Sequence, residues 1–222
     1  MKRYFITATD TDAGKTHIAQ ALVYMLAQMG KQVAVFKPVS AGCDVVNGKL
    51  VNEDAKRLMD VANANQSYQC INPIAFEQPI APHIAAEQQN VLIEVSHLIQ
   101  HYQQLLATNS DVIVTEGAGG WRLPLGNGHY MSELAQETQQ EVILVVNMKL
   151  GCLNHALLTA EAIRRDGLSV CGWFANVQQD MPYLEDNIDE LKNLLACPFL
   201  GRTSFEPDIR KVAQQINTDA IL

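Results

Sequence analysis

The chain has 222 residues, of which 48% are hydrophobic and 18% are charged, and its formal net charge is −8. This composition is typical of a globular protein and not of a disordered one. The acidic balance disfavours nucleic acid and anionic membranes as partners, so any phosphate-bearing ligand must be held by local geometry.

The cysteines and the apolar segments of the sequence indicate the cellular compartment of the protein. The five cysteines are odd in number and include no Cys-x-x-Cys pair, which is typical of reduced thiols in a cytoplasmic protein. The N-terminus runs directly into a predicted strand, without an apolar stretch of signal-peptide length, and the most apolar run, residues 142–146, is too short to cross a bilayer. We therefore expect a cytoplasmic protein that makes no use of a membrane.

Predicted strands and helices alternate along the chain. Apolar residues recur at helical spacing over 15–29 with Gly30 as a stop signal, whereas residues 141–147 form a continuous apolar run, as in a strand covered on both faces. In chain order we predict a strand over 3–8, a helix over 15–29, a strand over 32–37, a helix over 53–62, irregular structure over the proline-containing residues 70–82, a helix over 92–107, strands over 111–115 and 141–147, a helix over 154–166, a strand over 170–176, a helix over 183–195 and a short strand over 199–201. This order predicts an α/β fold, a single domain over 1–222 with a parallel sheet flanked by helices.

Unusual polar segments follow the predicted strands. Because ligands of such sheets bind beyond the carboxyl ends of the strands, these segments are expected to meet at one edge of the sheet. They are residues 9–16, 37–43, 116–120, 147–154 and those from 176 onward.

The first segment contains the phosphate-loop pattern Gly14-Lys15-Thr16 between a predicted strand and a predicted helix. In such a loop, backbone N–H groups and the helix N-terminus hold the phosphates, the lysine reaches the β and γ phosphates, and the hydroxyl of Thr16 binds Mg²⁺. The strict pattern also requires glycine at position 9, where this chain has Thr9. The alternative is an ordinary turn capped by Asp12, and we predict nucleotide binding.

The segment from Ala8 to Thr16 resembles the longer loop of dethiobiotin synthetases, Gly-Thr-Asp-Thr-x-x-Gly-Lys-Thr. Ala8 stands where that family usually has glycine, a difference that would matter if the backbone φ angle at this position were positive. The resemblance rests on five ordered motifs and covers nearly the whole chain, becoming weaker after about residue 177. It implies a P-loop NTPase-like fold.

Lys37 ends the second predicted strand, in Phe36-Lys37-Pro38-Val39. A solvated lysine at a strand end is the simplest interpretation, although Pro38 restricts Lys37 to extended geometry. The motif is similar to the family's Lys-Pro-Val, in which the lysine helps to hold carbamate and phosphate charge. The position of the family's substrate-binding serine falls on Ala41 here, with Ser40 beside it, and the resemblance implies substrate contacts in this segment.

Two carboxylates are candidate Mg²⁺ ligands. Asp54 lies near the start of a predicted helix, where an acid is also favoured by the helix dipole alone. Glu116 ends an apolar strand in Glu116-Gly-Ala-Gly-Gly-Trp121, and a plain glycine-rich turn does not explain an acid at that place. This string is similar to the family's own, and the resemblance assigns Mg²⁺ to Thr16, Asp54 and Glu116.

The segment Lys149-Leu-Gly-Cys-Leu-Asn-His-Ala156 follows the central strand and opens a helix. Asn154 could simply cap that helix, or the free N–H groups of the first turn could hold a carboxylate. In the family, the Gly-Cys-x-Asn-His segment binds the substrate carboxylate across a two-fold interface. The resemblance therefore implies a homodimer.

Asn176 ends a predicted strand and resembles the asparagine with which the family reads the purine ring, although a turn asparagine would also fit. The family's later base-contacting loop usually reads Gly-x-Ile-Pro, whereas residues 201–205 read Gly-Arg-Thr-Ser-Phe. Base contacts after Asn176 are therefore left open.

The resemblance divides the predicted site residues into three sets. The catalytic pair is Lys15 and Lys37. The ATP-binding set is Asp12, Ala13, Gly14, Lys15, Thr16, His17, Asp54, Glu116, Gly117, Ala118, Gly119 and Asn176. The substrate-binding set is Thr11, Lys37, Ser40, Ala41, Gly151, Cys152, Leu153 and Asn154.

The activity implied by the resemblance is formation of a cyclic urea from 7,8-diaminononanoate, CO₂ and ATP, with Mg²⁺, in biotin biosynthesis. Two alternatives remain open. One is a partition-type ATPase switch with a macromolecular partner, a class that carries a second lysine early in the loop, where this chain has Asp10. The other is a degenerate relative of the synthetase that keeps nucleotide binding but acts on another substrate.

Overall fold

The computed structural model describes residues 1–204 and 206–221. Its strands are β1 (Lys2–Ala8), β2 (Val33–Phe36), β3 (Val39–Ser40), β4 (Asp44–Val46), β5 (Lys49–Val51), β6 (Ile74–Ala75), β7 (Val112–Glu116), β8 (Pro124–Gly126), β9 (His129–Tyr130), β10 (Glu141–Asn147), β11 (Val170–Val177) and β12 (Phe199–Ser204). Its helices are α1 (Lys15–Gln28), α2 (Glu53–Val61), α3 (Tyr68–Ile71), α4 (Pro82–Gln88), α5 (Val95–Leu106), α6 (Ser132–Glu137), α7 (Cys152–Arg165), α8 (Leu184–Leu194) and α9 (Ile209–Ala213), followed by a 3₁₀ turn at Thr218–Ala220.

A six-stranded parallel sheet forms the centre of the molecule, with the strand order β12-β11-β10-β1-β7-β2. Successive side chains of β10 alternate between two hydrophobic clusters: Val142, Leu144 and Val146 belong to one, Ile143 and Val145 to the other. Burial on both faces explains why this strand reads as a continuous apolar run.

Helices cover both faces of the sheet. One cluster contains buried residues of α4, α5, α6, α7 and α8, and the other contains buried residues of α1, α2 and α9. Helix α1 also contacts α2 and α9 directly. The predicted architecture, a parallel sheet flanked by helices, is thus confirmed.

The sequence prediction differs from the structure in three places. Residues 70–82 were expected to be irregular but contain β6, and they lead into α4, which begins at Pro82 because proline suits the first turn of a helix. Helix α7 begins at Cys152 and not at Asn154, since Gly151 with φ 93° turns the chain into the helix, so Asn154 is not its cap. Strand β12 continues past residue 201 because it pairs with β11 as far as Ser204.

Further short elements are additions that the prediction did not contain. They include the antiparallel pairs β4–β5 and β8–β9 and the helices α6 and α9. None of the described helices is long and apolar enough to cross a membrane. The five cysteines all lie among the described residues and are free thiols.

The carboxyl ends of β1, β7 and β10 meet in the middle of the sheet. In the register of these strands Ala8 lies beside Val145, and Ile6 lies beside Glu116. The loop after β1 therefore lies between the segments that follow β7 and β10, as the rule for ligand sites in parallel sheets requires.

Candidate active site

The loop between β1 and α1 leaves the first turn of α1 without a side-chain cap. Its N-cap is Gly14, with φ 86°, and no side chain accepts a hydrogen bond from the helix N-terminus. By contrast, α2 is capped by Asn52 and α9 by Asp208. Because the first N–H groups of a helix have no partner within the helix, those of α1 are available to an anion. The alternative of a turn capped by Asp12 is wrong.

The backbone of Gly14 is also crowded by β11. A Cβ atom at this position would lie 2.1 Å from Nδ2 of Asn176, which donates a 2.7 Å hydrogen bond to the carbonyl of Ala13. Gln178 likewise donates to the carbonyl of Asp12, at 2.7 Å. The end of β11 therefore holds the loop from one side, and only glycine fits at position 14.

Lys15 is buried, with 7% of its surface exposed, and its Nζ lies 3.4 Å from the carbonyl oxygen of Asp10. Burial, together with the neighbouring charge of Lys37, lowers the pKa of Lys15 to about 8. A lysine held in this way, without a close carboxylate partner, is suited to bind an anionic ligand that restores its charge.

Four predicted residues form one polar cluster beside this loop. The hydroxyl of Thr16 donates to Oε1 of Glu116 at 2.8 Å, and Nζ of Lys37 donates to the same oxygen at 2.6 Å. Lys37 also lies 3.3 Å from Oδ2 of Asp54 and 3.2 Å from the carbonyl oxygen of Gly117. The interpretation of Lys37 as a solvated strand-end lysine is therefore wrong, since only 3% of it is exposed.

The charges in this cluster stabilise one another. Burial opposes a charge on Lys37, but the carboxylates of Glu116 and Asp54 outweigh it and raise the pKa of Lys37 above its ordinary value. Burial would likewise raise the pKa of Asp54, but Lys37 and a hydrogen bond with Thr16 hold it below its ordinary value. Lys37 thus stays cationic and Asp54 anionic at neutral pH.

The donor set fits a magnesium ion. Oε2 of Glu116 is fully buried and has no hydrogen-bond partner among the described residues, although a buried carboxylate oxygen normally has one. Two carboxylates and a hydroxyl are hard oxygen ligands of the kind that Mg²⁺ takes while it keeps waters and phosphate oxygens. Thr16, Asp54 and Glu116 are the residues that would hold it.

A cavity of about 790 Å³ lies over this cluster. Its wall brings together residues from three of the five segments that were predicted to converge, 9–16, 37–43 and 116–120. It adds Asn52, Arg57, Leu123 and residues 79–82, which the sequence did not identify as part of the site. The predicted residues that line it are Thr11, Asp12, Gly14, Lys15, Thr16, His17, Lys37, Ser40, Ala41, Asp54, Glu116, Ala118 and Gly119.

The glycine-rich turn after β7 lies close to the end of β1. The N–H of Gly117 donates to the carbonyl of Ile6, and a Cβ atom at Gly117 would lie 3.0 Å from the ring of Phe5. Gly119 has a positive φ of 59°. Glycine here brings the main chain against β1 and places Glu116 beside the phosphate loop.

A smaller cavity of about 280 Å³ adjoins the phosphate loop on the other side. It is lined by Gly14, His17 and Asn176 together with Thr203 and Glu206. Residues 201–204 belong to β12, whereas the prediction treated 201–205 as a loop, and Phe205 lies outside the described residues.

Residues 151–154 do not line either of these cavities. Cys152 is buried at the start of α7, and Leu150 just before it is 96% exposed. Lys149 of the same segment nevertheless forms an ion pair with Asp10 of the phosphate loop. Within one chain, this segment adjoins the site but does not enter it.

The chain was compared with known proteins. Residues 2–213 match a family model described as an AAA domain. A protein from Pseudoalteromonas translucida, named ATP-dependent dethiobiotin synthetase BioD, is 46% identical over 213 residues, which cover 96% of this chain and 94% of that protein. A protein of the same name from Idiomarina loihiensis is 47% identical over 198 residues, covering 88% of this chain and 89% of that protein.

The chain belongs to the dethiobiotin synthetase family. Its fold also resembles that of more distant P-loop proteins. The MinD cell division protein of Aquifex aeolicus superposes with a TM-score of 0.56 at 14% identity, covering 96% of this chain and 86% of that one. A ParA family ATPase from Chlorobium tepidum gives a TM-score of 0.53 at 14% identity, covering 96% and 89%. At such low identity the likeness concerns the fold alone, and it confirms the P-loop NTPase-like prediction.

One departure from the dethiobiotin synthetase pattern is explained by the structure. Ala8 is the last residue of β1, is 1% exposed and is not among the residues with positive φ, so alanine is not strained there. Asp12 instead takes the left-handed conformation, with φ 55°. Asparagine and aspartate tolerate this region better than other non-glycine residues, so an aspartate at position 12 suits this turn of the loop.

A second departure from the family pattern, Ser40-Ala41 in place of the family's serine at position 41, changes what the segment presents to the cavity. The hydroxyl of Ser40 is 2.8 Å from Oδ1 of Asn72 and is buried. Ala41 is partly exposed and offers only its methyl group and main chain.

Proposed function

We propose that the protein is an ATP-dependent ligase that forms the cyclic urea of dethiobiotin from 7,8-diaminononanoate and CO₂, in biotin biosynthesis. The observation that carries this proposal is the convergence of Lys15, Lys37, Thr16, Asp54 and Glu116 on one cavity, in a chain of the dethiobiotin synthetase family.

The proposed reaction has three steps. One amine of the substrate adds to CO₂ and loses a proton to give a carbamate. A carbamate oxygen then attacks the γ-phosphorus of ATP, the bond to the bridging oxygen breaks, and ADP leaves. The second amine attacks the carbonyl carbon of the resulting mixed anhydride, phosphate leaves with the bonding electrons, and the amine loses a proton as the ring closes. The substrate provides both nucleophiles, so the protein needs no nucleophilic side chain.

The protein's part in this chemistry is to position the reactants and to neutralise charge, which are the main demands of phosphoryl transfer. Lys15 and the free N–H groups of α1 would bind the β and γ phosphates. Lys37, which its carboxylate partners keep cationic, would bind the carbamate and the transferring phosphoryl group. A bound Mg²⁺ on Thr16, Asp54 and Glu116 would supply further positive charge on the phosphate oxygens.

The remaining assignments are proposals of the same kind. Asp12, His17, Ala118 and Gly119 would surround the nucleotide, and Asn176 would contact the base from the smaller cavity. Ala13 and Gly117 line neither cavity and would contribute through the main chain of the loops to which they belong. Thr11, Ser40 and Ala41 would contact the diamine. We place the protein in the cytoplasm and treat it as one α/β domain.

A second copy of the chain would complete the substrate site. The uncapped N-terminus of α7, at Gly151 to Asn154, would bind the substrate carboxylate of the neighbouring subunit. Mixing two inactive variants tests this idea. Lys15→Gln removes the phosphate site, whereas Gly151→Val cannot take the left-handed φ of 93° and distorts the carboxylate site. Recovery of activity in mixed dimers supports the proposal, and no recovery contradicts it.

The function itself is tested with purified protein, ATP, Mg²⁺, bicarbonate and 7,8-diaminononanoate, by measuring both ADP and the cyclic urea. Equal amounts of ADP and cyclic urea, formed only when the diamine is present, support the ligase. Hydrolysis of ATP without the diamine, increased by a macromolecular partner, would indicate a partition-type switch. Nucleotide binding without turnover would indicate a degenerate relative that acts on another substrate.

A further inference from the structure

The edge strand β2 carries Lys37 at its end, and residues 63–72 run alongside the free edge of this strand. We call residues 63–72 the edge segment. Two amide side chains of this segment bond the main chain of β2: Asn63 accepts from the N–H of Val33 at 2.7 Å, and Gln66 both accepts from and donates to Val35, at 2.9 Å and 3.0 Å. Side chains here replace the missing neighbouring strand.

The edge segment also hydrogen-bonds Lys37, which directly follows β2 at the end of the strand nearest the cavity. The N–H of Lys37 donates to the carbonyl of Ile71 at 2.8 Å, and the carbonyl of Lys37 accepts from Nδ2 of Asn72 at 2.7 Å. Both main-chain polar groups of Lys37 are therefore fixed by two consecutive residues of the edge segment. Asn72 is 4% exposed, so these bonds are shielded from water.

Asn72 also connects Lys37 to the helix that carries Asp54. Its Oδ1 accepts from the hydroxyl of Ser40 at 2.8 Å and from the hydroxyl of Tyr68 at 3.2 Å. The hydroxyl of Tyr68 in turn accepts from the N–H of Asn52 at 2.7 Å, and Asn52 is the N-cap of α2. A continuous hydrogen-bond network, buried at Asn72 and Asn52 and partly buried at Tyr68, thus joins the main chain of Lys37 to the start of the helix on which Asp54 lies.

We infer that Asn72 is a positioning residue, which sets the place of Lys37 relative to Asp54 and Glu116. Asn72 does not line either cavity and would touch neither substrate nor nucleotide. Asn72 acts on the backbone. It fixes the two chain segments that carry the ammonium group of Lys37 and the carboxylate of Asp54, and these two charged groups lie 3.3 Å apart. Because small displacements of a charged group at a phosphoryl-transfer site reduce the rate strongly, this control bears on turnover more than on nucleotide binding.

The edge segment provides a matched control. Asn63 makes the same kind of bonds as Asn72, accepting from the N–H of Val33 and donating to the carbonyl of Lys31 at 2.9 Å, but at the end of β2 that is remote from the cavity. If amide side chains only stabilise the strand, Asn63→Ala and Asn72→Ala should have similar effects. If Asn72 positions Lys37, only Asn72→Ala should change catalysis.

The inference rests on the proposed ligase function, so the test has a kinetic and a structural arm. At saturating ATP, Mg²⁺ and diamine, Asn72→Ala should lower kcat about tenfold or more while KM for ATP changes less than about threefold, and Asn63→Ala should keep kcat within about twofold. In crystal structures, Lys37 Nζ should leave its place between Asp54 and Glu116 in Asn72→Ala and keep it in Asn63→Ala.

Equal kcat values for both variants, or a Lys37 that stays in place in Asn72→Ala, overturn the inference. If the wild-type protein forms no cyclic urea, the proposed function fails, and the structural arm alone decides whether Asn72 positions Lys37. If Asn72→Ala does not fold, Tyr68→Phe replaces it, because this change removes only the hydroxyl that joins Asn72 to Asn52. A displaced Asp54 with lowered kcat then supports the inference, and an unmoved Asp54 overturns it.

Discussion

The hydroxyl of Thr16 donates a 2.8 Å hydrogen bond to Glu116, which lies 100 residues further along the chain. Thr16 belongs to the first turn of α1 and Glu116 to the last position of β7. The register that sets Ile6 beside Glu116 brings the two together. This contact joins the phosphate loop to the carboxylate that we propose as a magnesium ligand.

Replacing Glu116 by glutamine is expected to lower kcat by about 10²-fold or more, since the change removes a buried charge that would face the metal and Lys37. Lys37 would also lose a charged partner, so the free energy of unfolding should fall by about 3 kcal/mol. Steady-state kinetics with Mg²⁺ titration and urea unfolding measure the two effects. Glu141→Gln is the control, because this partly exposed residue begins β10, at the opposite end of the strands from the cavity. Equal loss in both variants would contradict the assignment.

Lys15→Gln is expected to leave the fold intact and to abolish turnover, because the β and γ phosphates lose their main cationic contact. The affinity for ATP should fall together with kcat/KM, by about 10²-fold or more. Circular dichroism and nucleotide-binding titration separate folding from function. The exposed Lys56, on α2, serves as the control in Lys56→Gln. Unchanged rates in Lys15→Gln would show that the loop assignment is wrong.

Gly14→Ala and Gly30→Ala form a matched pair, since both glycines have positive φ angles, of 86° and 79°. The backbone strain on alanine should cost about 1 kcal/mol in each case. A Cβ atom at Gly14 would also overlap Asn176, whereas nothing lies within 4 Å of one at Gly30. We expect Gly14→Ala to lose ATP binding and Gly30→Ala to keep wild-type kinetics. Similar nucleotide affinity in the two variants would contradict the crowding at the loop.

Lys149→Met tests the ion pair with Asp10. The hydrogen bond from Lys149 holds the pKa of Asp10 below its ordinary value of 3.8, so removing the lysine should raise it. A carboxyl group whose pKa is lower in the folded state than in the unfolded state stabilises the fold at pH values above its unfolded-state pKa. This stabilisation is lost as the pH falls through the folded-state pKa. The variant should therefore be less stable than the wild type by about 0–1 kcal/mol at pH 7, and the difference should shrink below pH 4. NMR titration of the Asp10 carboxyl carbon measures the shift directly; an unchanged midpoint would refute the pairing.

Much of the fold could be predicted because the spacing of apolar residues along the chain indicates which faces of each helix or strand are buried. The run 141–147 reads as a strand covered on both faces, and β10 has these bounds and such burial. Elements of two or three residues, such as β3 and β6, escaped prediction because they exist only through contacts with each other. The start of α7 was predicted at Asn154, two residues late, because the turn into the helix is made by Gly151 in the left-handed conformation.

The candidate site likewise contains residues that could be predicted from the sequence and residues that could not. Residues in recognisable motifs, such as Lys37 and Glu116, could be named from the sequence. Asn72, by contrast, lies before a proline in a stretch that was expected to be irregular, and its role depends on bonds to Ser40, Tyr68 and the main chain of Lys37. No local pattern encodes a buried side chain whose partners include Lys37 and Ser40, more than 30 residues earlier in the chain.

The strand order has a consequence for how the chain folds as it is synthesised. In the central sheet, β1 is bonded only to β7 and β10, and β2 only to β7. No pair of strands in this sheet can form until residues 112–116 have left the ribosome, by which time more than half of the chain has been made. Strands that wait this long for distant partners fold slowly and expose apolar surface meanwhile. While only its N-terminal half has been made, the chain is therefore expected to expose β1 and β2 and to depend most on chaperones.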